Sequence, residues 1–444
     1  MPTLPPLPDW VALEHQVAHL MTKQELHGWY FNERAAWQLA SALQKELEET
    51  KKVLRERHPF VQGATFNPKR NNKTQGYFQG TGVTKEIDLG THKQLVQECS
   101  STRLKELNPT SRDHIAWILS TFYGWKPTQL TTTGKPVIDE TILMEIASGG
   151  ITIAGDFAKC LDITKKLGMI SEGTNAWLKL CTTASRVHHH CSVGCATFRM
   201  SHKNPNLAQV PSDPRFRQLF VPTPGQVMVG ADLAGIELRM LAHYLARYDD
   251  GRYADILLNG DIHQVNADKI GISRKLVKTV TYAFLYGAGN IKIGLSYDPS
   301  LSESRAKSKG KEIRDAYVEA IPGLDSLLAA VKAAGDRGFI KAIDGRRIPL
   351  DSAHKSLNFL LQGSAGVLAK RWLLINQETI NNTKLCCSQL AFVHDELQFE
   401  CDPQHAKDLS TSLVFSAAAA GEFYKLRIPI AAEAKIGDNW AEVH

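Results

Sequence analysis

Apolar and polar positions along this chain repeat with two periods. In "VMVGADLAGIELRMLAHYL", Val227 to Ala231 read as a buried strand that stops at Asp232. Beyond it Ile236, Met240, Leu241, Tyr244 and Leu245 recur at helical spacing and predict a buried stripe, with Glu237 off its centre. "SRKLVKTVTYAFLYGAG" predicts a helix that Ser273 caps and that Gly287 and Gly289 end. Leu276, Val277, Val280, Ala283 and Phe284 make its apolar face, while Arg274, Lys278, Tyr282 and Tyr286 recur every fourth residue on another. "NPTSRDHIAWIL" starts a helix capped by Ser111, and "FIKAIDGRRIPL" predicts a hairpin turning at Asp344-Gly345. "SLNFLLQGSAGVLAKRWLLI" reads as another helix and "LAFVHDELQFE" as a strand entering a core. Trp10 to about Arg57 is helical and charged, and more helices follow to about Leu180. "RVHHHCSV" is β-prone, and helical periodicity returns from Asp261 to about Gly335. The pattern is a helical front, then a mixed region interrupted by a helical insert.

Two places break the apolar logic. His394, Asp395 and Glu396 sit side by side inside the last strand pattern. An ionised carboxylate there is costly unless it is paired or holds a metal. The stretch is either a polar hairpin tip or a reaction centre. Asp232 likewise reads as a carboxylate favoured by a helix dipole, or as a ligand presented at a strand end. On the Ser273 helix, Arg274 and Lys278 stand about 6 Å apart at ~1.5 Å rise per residue. That spacing suits adjacent phosphates of a triphosphate, although a surface helix with solvated cations uses the same residues. Phosphoryl transfer from a triphosphate calls for paired divalent ions ~3.5–4 Å apart, and such hard ions choose carboxylates. Asp232 and Asp395 are the expected pair, with Glu396 at the rim and His394 donating to a phosphate or primer oxygen.

Composition narrows this only slightly. A chain of 444 residues with 43% hydrophobic content is large enough for two or three subdomains. No apolar run approaches the ~20 residues of a membrane span. "MPTLPPLPDW" does not read as a secretory leader, and eight irregularly spaced cysteines read as reduced thiols, so the expected location is cytoplasmic. A net charge of +6 favours a polyanionic partner mildly. Between Phe66 and Lys85 lie four basic residues, no acidic ones, Tyr77, Phe78 and three glycines. A solvated linker and a nucleic-acid or partner contact explain that loop equally well. His188, His190, Cys191 and Cys195 could be drawn as a zinc site, but their spacing fits no regular finger, and packing is the expectation.

Taken together, "DLAGIELRMLAHYLARYDDGRYADILLNGDIH", "RKLVKTVTYAFLYGAG" and "FVHDE" resemble motifs A, B and C of the DNA polymerase I family (family A), in particular the replicative polymerases of T-odd podophages. The resemblance extends to "NPTSRDHI", "WKPTQLTTTGKPVID", "TFRMSHKNPNLAQVP", "SAHKSLNFLLQGSAG" and "GDNWAEVH". It implies an α+β right-hand polymerase fold with helical thumb, mixed-sheet palm and helical fingers. The thumb would span 1–186 with a basic tip loop at about 58–107, the palm 187–260 and 341–444, and the fingers 261–340. It implies template-directed addition of dNTPs to a primer 3′-hydroxyl in phage genome replication, in the cytoplasm of a bacterial host.

Residue by residue, the resemblance implies that Asp232, Asp395 and the Leu233 carbonyl bind two Mg²⁺ ions, with Mn²⁺ able to substitute. Lys278 and Glu396 would join the aspartates in catalysis. Arg274, Lys278 and His263 would hold the triphosphate, Tyr282 would flank its sugar, Glu237 would exclude a 2′-hydroxyl, and Tyr286 would sit by the templating base. Arg199, Asn358 and Gln362 would read the minor groove at the primer end, with Asn206, Gln209, His354 and His394 as further DNA contacts. Phe198 departs from the family, which usually has glycine before that arginine. The segment from Val187 to Thr197 is shorter than in podophage enzymes. The 3′–5′ exonuclease domain is expected to be missing from this chain, with a separate proofreading subunit compatible with that. The basic loop at Phe66–Lys85 falls where podophage enzymes carry a larger thumb insertion that binds a processivity factor, so a thioredoxin-like partner at the thumb tip is compatible as well. A non-catalytic DNA-binding relative would have lost the acidic and basic positions, which all remain. A single-subunit RNA polymerase is disfavoured by Glu237, whose carboxylate would crowd a ribose.

Overall fold

The computed structural model describes residues 8–65, 69–70, 78–79, 102–298 and 301–444. Most of the cationic stretch Phe66–Lys85 therefore lies outside the described residues. The chain folds as two compact units, 1–35 with 177–444, and 36–176.

The first unit is built on a four-stranded antiparallel sheet. Its labelled elements, in chain order, are α1 (Asp9–His27), β1 (Val227–Leu233), α2 (Ile236–Leu245), α3 (Arg274–Leu285), α4 (Ser356–Thr383), β2 (Cys387–Val393), β3 (Glu396–Cys401), α5 (Ala406–Phe423) and β4 (Ala432–Gly437). Strand order is β2-β3-β1-β4, so both strands that carry acidic residues of the site lie in the middle. β1 runs one residue past the expected stop, to Leu233. Register sets Glu396 opposite Asp232 and Phe399 opposite Val229. α4 is apolar nearly all round, with Leu360, Leu361, Val367, Leu368, Trp372 and Leu373 buried, the mark of a helix enclosed by other elements. α5 packs against α4 and against β1 and β4.

The expected division at residue 186 is not where the chain divides. Residues 1–35 and 177–186 belong with the sheet. α1 buries Leu13, Val17, Leu20 and Met21 in the sheet unit's core, and Trp29–Tyr30 pairs with Arg186–Val187. Each fully buried Leu contributes about 1.5–3 kcal/mol by removal from water, so this stripe fixes α1 to that unit. The expected single helical front is also split: Gly28, at φ +69°, ends α1 where a Cβ would strike the His188 ring at 2.7 Å. Helices from 262 to 335, the expected fingers, stay within the sheet unit. The hairpin expected at Asp344-Gly345 forms between Phe339–Lys341 and Arg347–Pro349.

The second unit is mainly helical. Ala36, Ala40, Leu43, Leu47 and Leu54 of helix Glu33–Arg57 are buried, and helices Arg112–Tyr123, Glu140–Ser148 and Ile153–Leu167 supply Ile115, Leu119, Leu143, Phe157 and Ile163. Ser111 caps the first of these helices as expected, accepting the His114 N–H. Within the loop expected at 58–107, Phe60–Thr65 pairs with Thr102–Glu106. No helix of the described residues is long and apolar enough to cross a membrane.

Candidate active site

β2 and β3 are joined by His394-Asp395, with Val393 paired to Glu396 and His394 at φ +59°. This tight turn sits against the end of β1: the Leu233 N–H donates to the Asp395 carbonyl at 3.0 Å. Two acidic positions remote in sequence thus meet because two central strands of one sheet end together. Both carboxylates are half-buried, and among the described residues neither is in an ion pair. Burial, then the charges of Asp232 and Glu237, pushes Asp395 up to about 7. Burial, then Glu396, pushes Asp232 up to about 6. Carboxylates that are costly to ionise together are stabilised by a cation between them. Two half-buried hard oxygen donors suit a hard divalent cation such as Mg²⁺ that keeps part of its water shell. Among the described residues no group of three or more His, Cys, Asp or Glu side chains is arranged to hold a metal ion, so the protein donors here are the two aspartates.

Glu396 is placed differently from its expected position at the rim. It stands opposite Asp232, but its carboxylate accepts hydrogen bonds from Trp440 Nε1 at 2.5 Å and Gln398 Nε2 at 2.6 Å, and meets His444 Nδ1 at 3.1 Å. Burial alone would raise its pKa, yet His444, Trp440 and Gln398 hold it below its usual range. Gly230 makes room for this arrangement, since a Cβ there would lie 2.6 Å from the Gln398 amide. Sequence reading did not single out Trp440, His444 or Gln398.

α3 presents its polar stripe as expected. Ser273 caps it by accepting the Leu276 N–H, and Arg274 and Lys278 are exposed. Arg274 Nε donates to Asp261 Oδ2 at 2.6 Å, and Asp261 also accepts from the backbone N–H groups of His263 and Gln264. The His263 ring lies 6.3 Å from the Tyr282 ring. Burial, together with the charges of Lys278 and Arg274, pulls the His263 pKa down against the opposing pull of Asp261. These residues therefore share one neighbourhood.

Glu237, in the first turn of α2, accepts from Arg199 Nη2 at 2.8 Å and from the Tyr286 hydroxyl at 3.0 Å. Burial, then Glu237, pushes Tyr286 up to about 12. Tyr282 is half-buried close enough to Glu237 and Asp395 for their charges to raise its pKa after burial. On α4, Asn358 and Gln362 are half-buried one turn apart. His354, in the turn before α4, and Asn358 line a cavity of about 560 Å³ with Phe284, Gly287, Asn290 and Arg314. Asn206 caps the short turn Leu207–Gln209 and, like Gln209, is exposed.

The histidine cluster resolves into separate contacts. His188 Nδ1 meets the Glu25 carbonyl and His190 Nδ1 the Glu25 carboxylate, while Cys191 Sγ points to the Phe392 carbonyl. His189 is fully buried, stacked 5.9 Å from His202, whose ring meets that of His394 at 6.3 Å. Burial pulls His189 down to about 3 and His202 to about 4, so both are neutral packing beneath the turn that carries Asp395. The triple-histidine run was the available signal, but which of its members turns inward was not legible.

A family model described as DNA polymerase family A matches residues 84–442. The chain belongs to this family. It is 30% identical to the DNA-directed DNA polymerases of Enterobacteria phage T3 and Escherichia phage T7, each alignment covering 98% of this chain and 70% of the phage protein. It is 25% identical to DNA polymerase I of Pseudomonas aeruginosa over 77% of this chain and 39% of that protein. The fold matches the POL domain of Pol1 from M. smegmatis, solved with DNA primer-template and dNTP, at TM-score 0.74 and 20% identity over 96% of this chain and 69% of that one. The α+β fold implied by the motifs is thus the fold of the chain, with an antiparallel sheet in place of the mixed one expected, and the enzyme is a DNA-directed DNA polymerase of family A.

Proposed function

We propose that this family A polymerase extends a primer through Asp232 and Asp395, the observation carrying the reading being two half-buried, un-ion-paired carboxylates brought together at the ends of adjacent strands. These two side chains and the Leu233 carbonyl would hold the divalent ions. Bound there, a pair of cations would supply positive charge to the primer 3′-hydroxyl and to the departing pyrophosphate. The chain's own side chains do the rest. Arg274 and Lys278 would engage the triphosphate, Arg274 exchanging its contact with Asp261 for phosphate oxygens. His263, neutral, would donate a hydrogen bond to the same group. Tyr282 would pack on the sugar, and Glu237, fixed by Arg199 and Tyr286, would occupy the space of a 2′-hydroxyl. Tyr286 would lie by the templating base.

Arg199, Asn358 and Gln362 would read acceptors common to every correct pair in the minor groove of the primer end. Asn206, Gln209, His354 and His394 would add contacts to DNA. Unit 36–176 would act as the thumb and the helices from 262 to 335 as the fingers. Primer extension by the full chain in a chelator, with Mg²⁺ then added back, tests the reading. Extension that persists in the chelator would sink it. The competing reading as an RNA polymerase predicts extension with NTPs at least equal to that with dNTPs, and the clamped Glu237 speaks against it.

A further inference from the structure

We propose that Phe198, Arg346 and Glu14 are positioning residues for Arg199, anchoring the primer-end arginine to the N-terminal helix. This rests on the reading above that Arg199 meets the primer terminus. Phe198 has φ +59°, in the left-handed region where glycine is at ease and a bulky side chain is strained. Something other than backbone preference must hold it there. Its ring lies 4.8 Å from the Arg346 guanidinium, which is also 5.6 Å from the Trp10 ring on α1. Arg346 is buried, donates to Asp344 at 2.6 Å and forms an ion pair with Glu14 of α1. Its Nη2 is buried with no hydrogen-bond partner among the described residues. Glu14 in turn binds the buried Lys370 of α4 at 2.7 and 2.9 Å.

The backbone is gripped as well. A Cβ at Gly366 of α4 would come within 3.1 Å of the Phe198 carbonyl and the Thr197 oxygen, so this strip of chain lies directly on the helix. The next residue is Arg199, which reaches Glu237 at 2.8 Å and through it Tyr286. A continuous set of contacts therefore runs from α1 through Glu14, Arg346 and Phe198 to Arg199, Glu237 and Tyr286, the residue that follows α3. A glycine at 198 would relax the backbone but give Arg346 no ring to pack on. The phenylalanine exchanges backbone ease for a side-chain anchor that limits where the base of Arg199 can move.

The consequence is selective. A correctly paired primer end needs Arg199 in one place, whereas a mismatched end gains little from it. The test is steady-state extension by the full chain from matched and 3′-mismatched primers, with thermal unfolding followed in parallel. Since a misplacement of about 1 Å can cost about a hundredfold, F198G is expected to lower kcat on the matched primer about tenfold and leave the mismatched rate nearly unchanged. F198Y, which keeps the ring, is expected to restore the matched rate to within about twofold, and E14Q to fall between them. R199A is the reference and should collapse the matched-to-mismatched ratio further. A ratio unchanged in F198G while R199A collapses it overturns the anchor alone. A ratio unchanged in R199A overturns the primer-end reading and the anchor with it. Should F198G unfold, F198L takes its place with the same outcomes.

Discussion

The backbone N–H of Leu233 donates to the carbonyl of Asp395 at 3.0 Å, closing the β2–β3 turn onto the end of β1. That bond, with the register that sets Glu396 opposite Asp232, brings together two acidic positions contributed by different parts of the chain. It also explains the answer to the polar tip: His394-Asp395 is a hairpin turn, and the same turn delivers a carboxylate to Asp232.

Removing charge from either aspartate should silence the enzyme without dismantling it. D395N and D232N are each expected to lower nucleotide addition by about a thousandfold or more, because neither amide can hold a cation for the transferring phosphoryl. Primer–template binding, measured by fluorescence anisotropy, should change less than about threefold, since it rests on other contacts. Near-normal extension by D395N would remove Asp395 from the site.

Glu396 predicts the opposite balance. Its carboxylate is occupied by Trp440, Gln398 and His444. E396Q leaves a buried network partly unsatisfied, which should cost about 1–3 kcal/mol of stability. Its loss of activity should be far smaller than that of D395N. Denaturant unfolding and primer extension on the same preparation separate the two effects, and a fully inactive, fully stable E396Q would place Glu396 among the catalytic groups.

The raised carboxylates give magnesium a pH signature. Unfolded aspartates ionise near their ordinary value, whereas Asp232 and Asp395 stay protonated up to about 6 and about 7. Between about pH 4 and pH 7 the folded, metal-free chain binds more protons than the unfolded one, so this contribution to stability declines as pH rises. Cations bind the ionised form, and at about 100 times their Kd contribute about 2.7 kcal/mol to the folded state. Thermal unfolding with Mg²⁺ or with chelator should differ more at pH 8 than at pH 5, and the difference should vanish in the D232N/D395N double variant. Equal shifts at both pH values would contradict the assignment.

Sugar selection should depend on Glu237. E237A removes the carboxylate that Arg199 and Tyr286 hold in place. It is expected to raise kcat/KM for NTPs relative to dNTPs by about a hundredfold, through loss of a steric and desolvation penalty of about 3 kcal/mol. Competition between a dNTP and its NTP in a single-turnover extension measures that ratio directly, and an unchanged ratio would assign discrimination elsewhere.

Local order was determined by the sequence alone. Ser111 and Ser273 cap helices where side-chain oxygen precedes an apolar period, and the stripe of Arg274, Lys278, Tyr282 and Tyr286 follows from 3.6 residues per turn. The hairpin at Asp344-Gly345 and the strands around Asp232 and Asp395 were legible for the same reason: period and turn chemistry act over a few residues. Tertiary structure decided what those elements meet. It put α1 with the sheet, turned His189 inward, gave the Glu396 carboxylate to Trp440 and His444, and seated Phe198 at positive φ against Arg346. Each depends on strand register and on partners far along the chain, and no local periodicity encodes which remote side chain fills a given space.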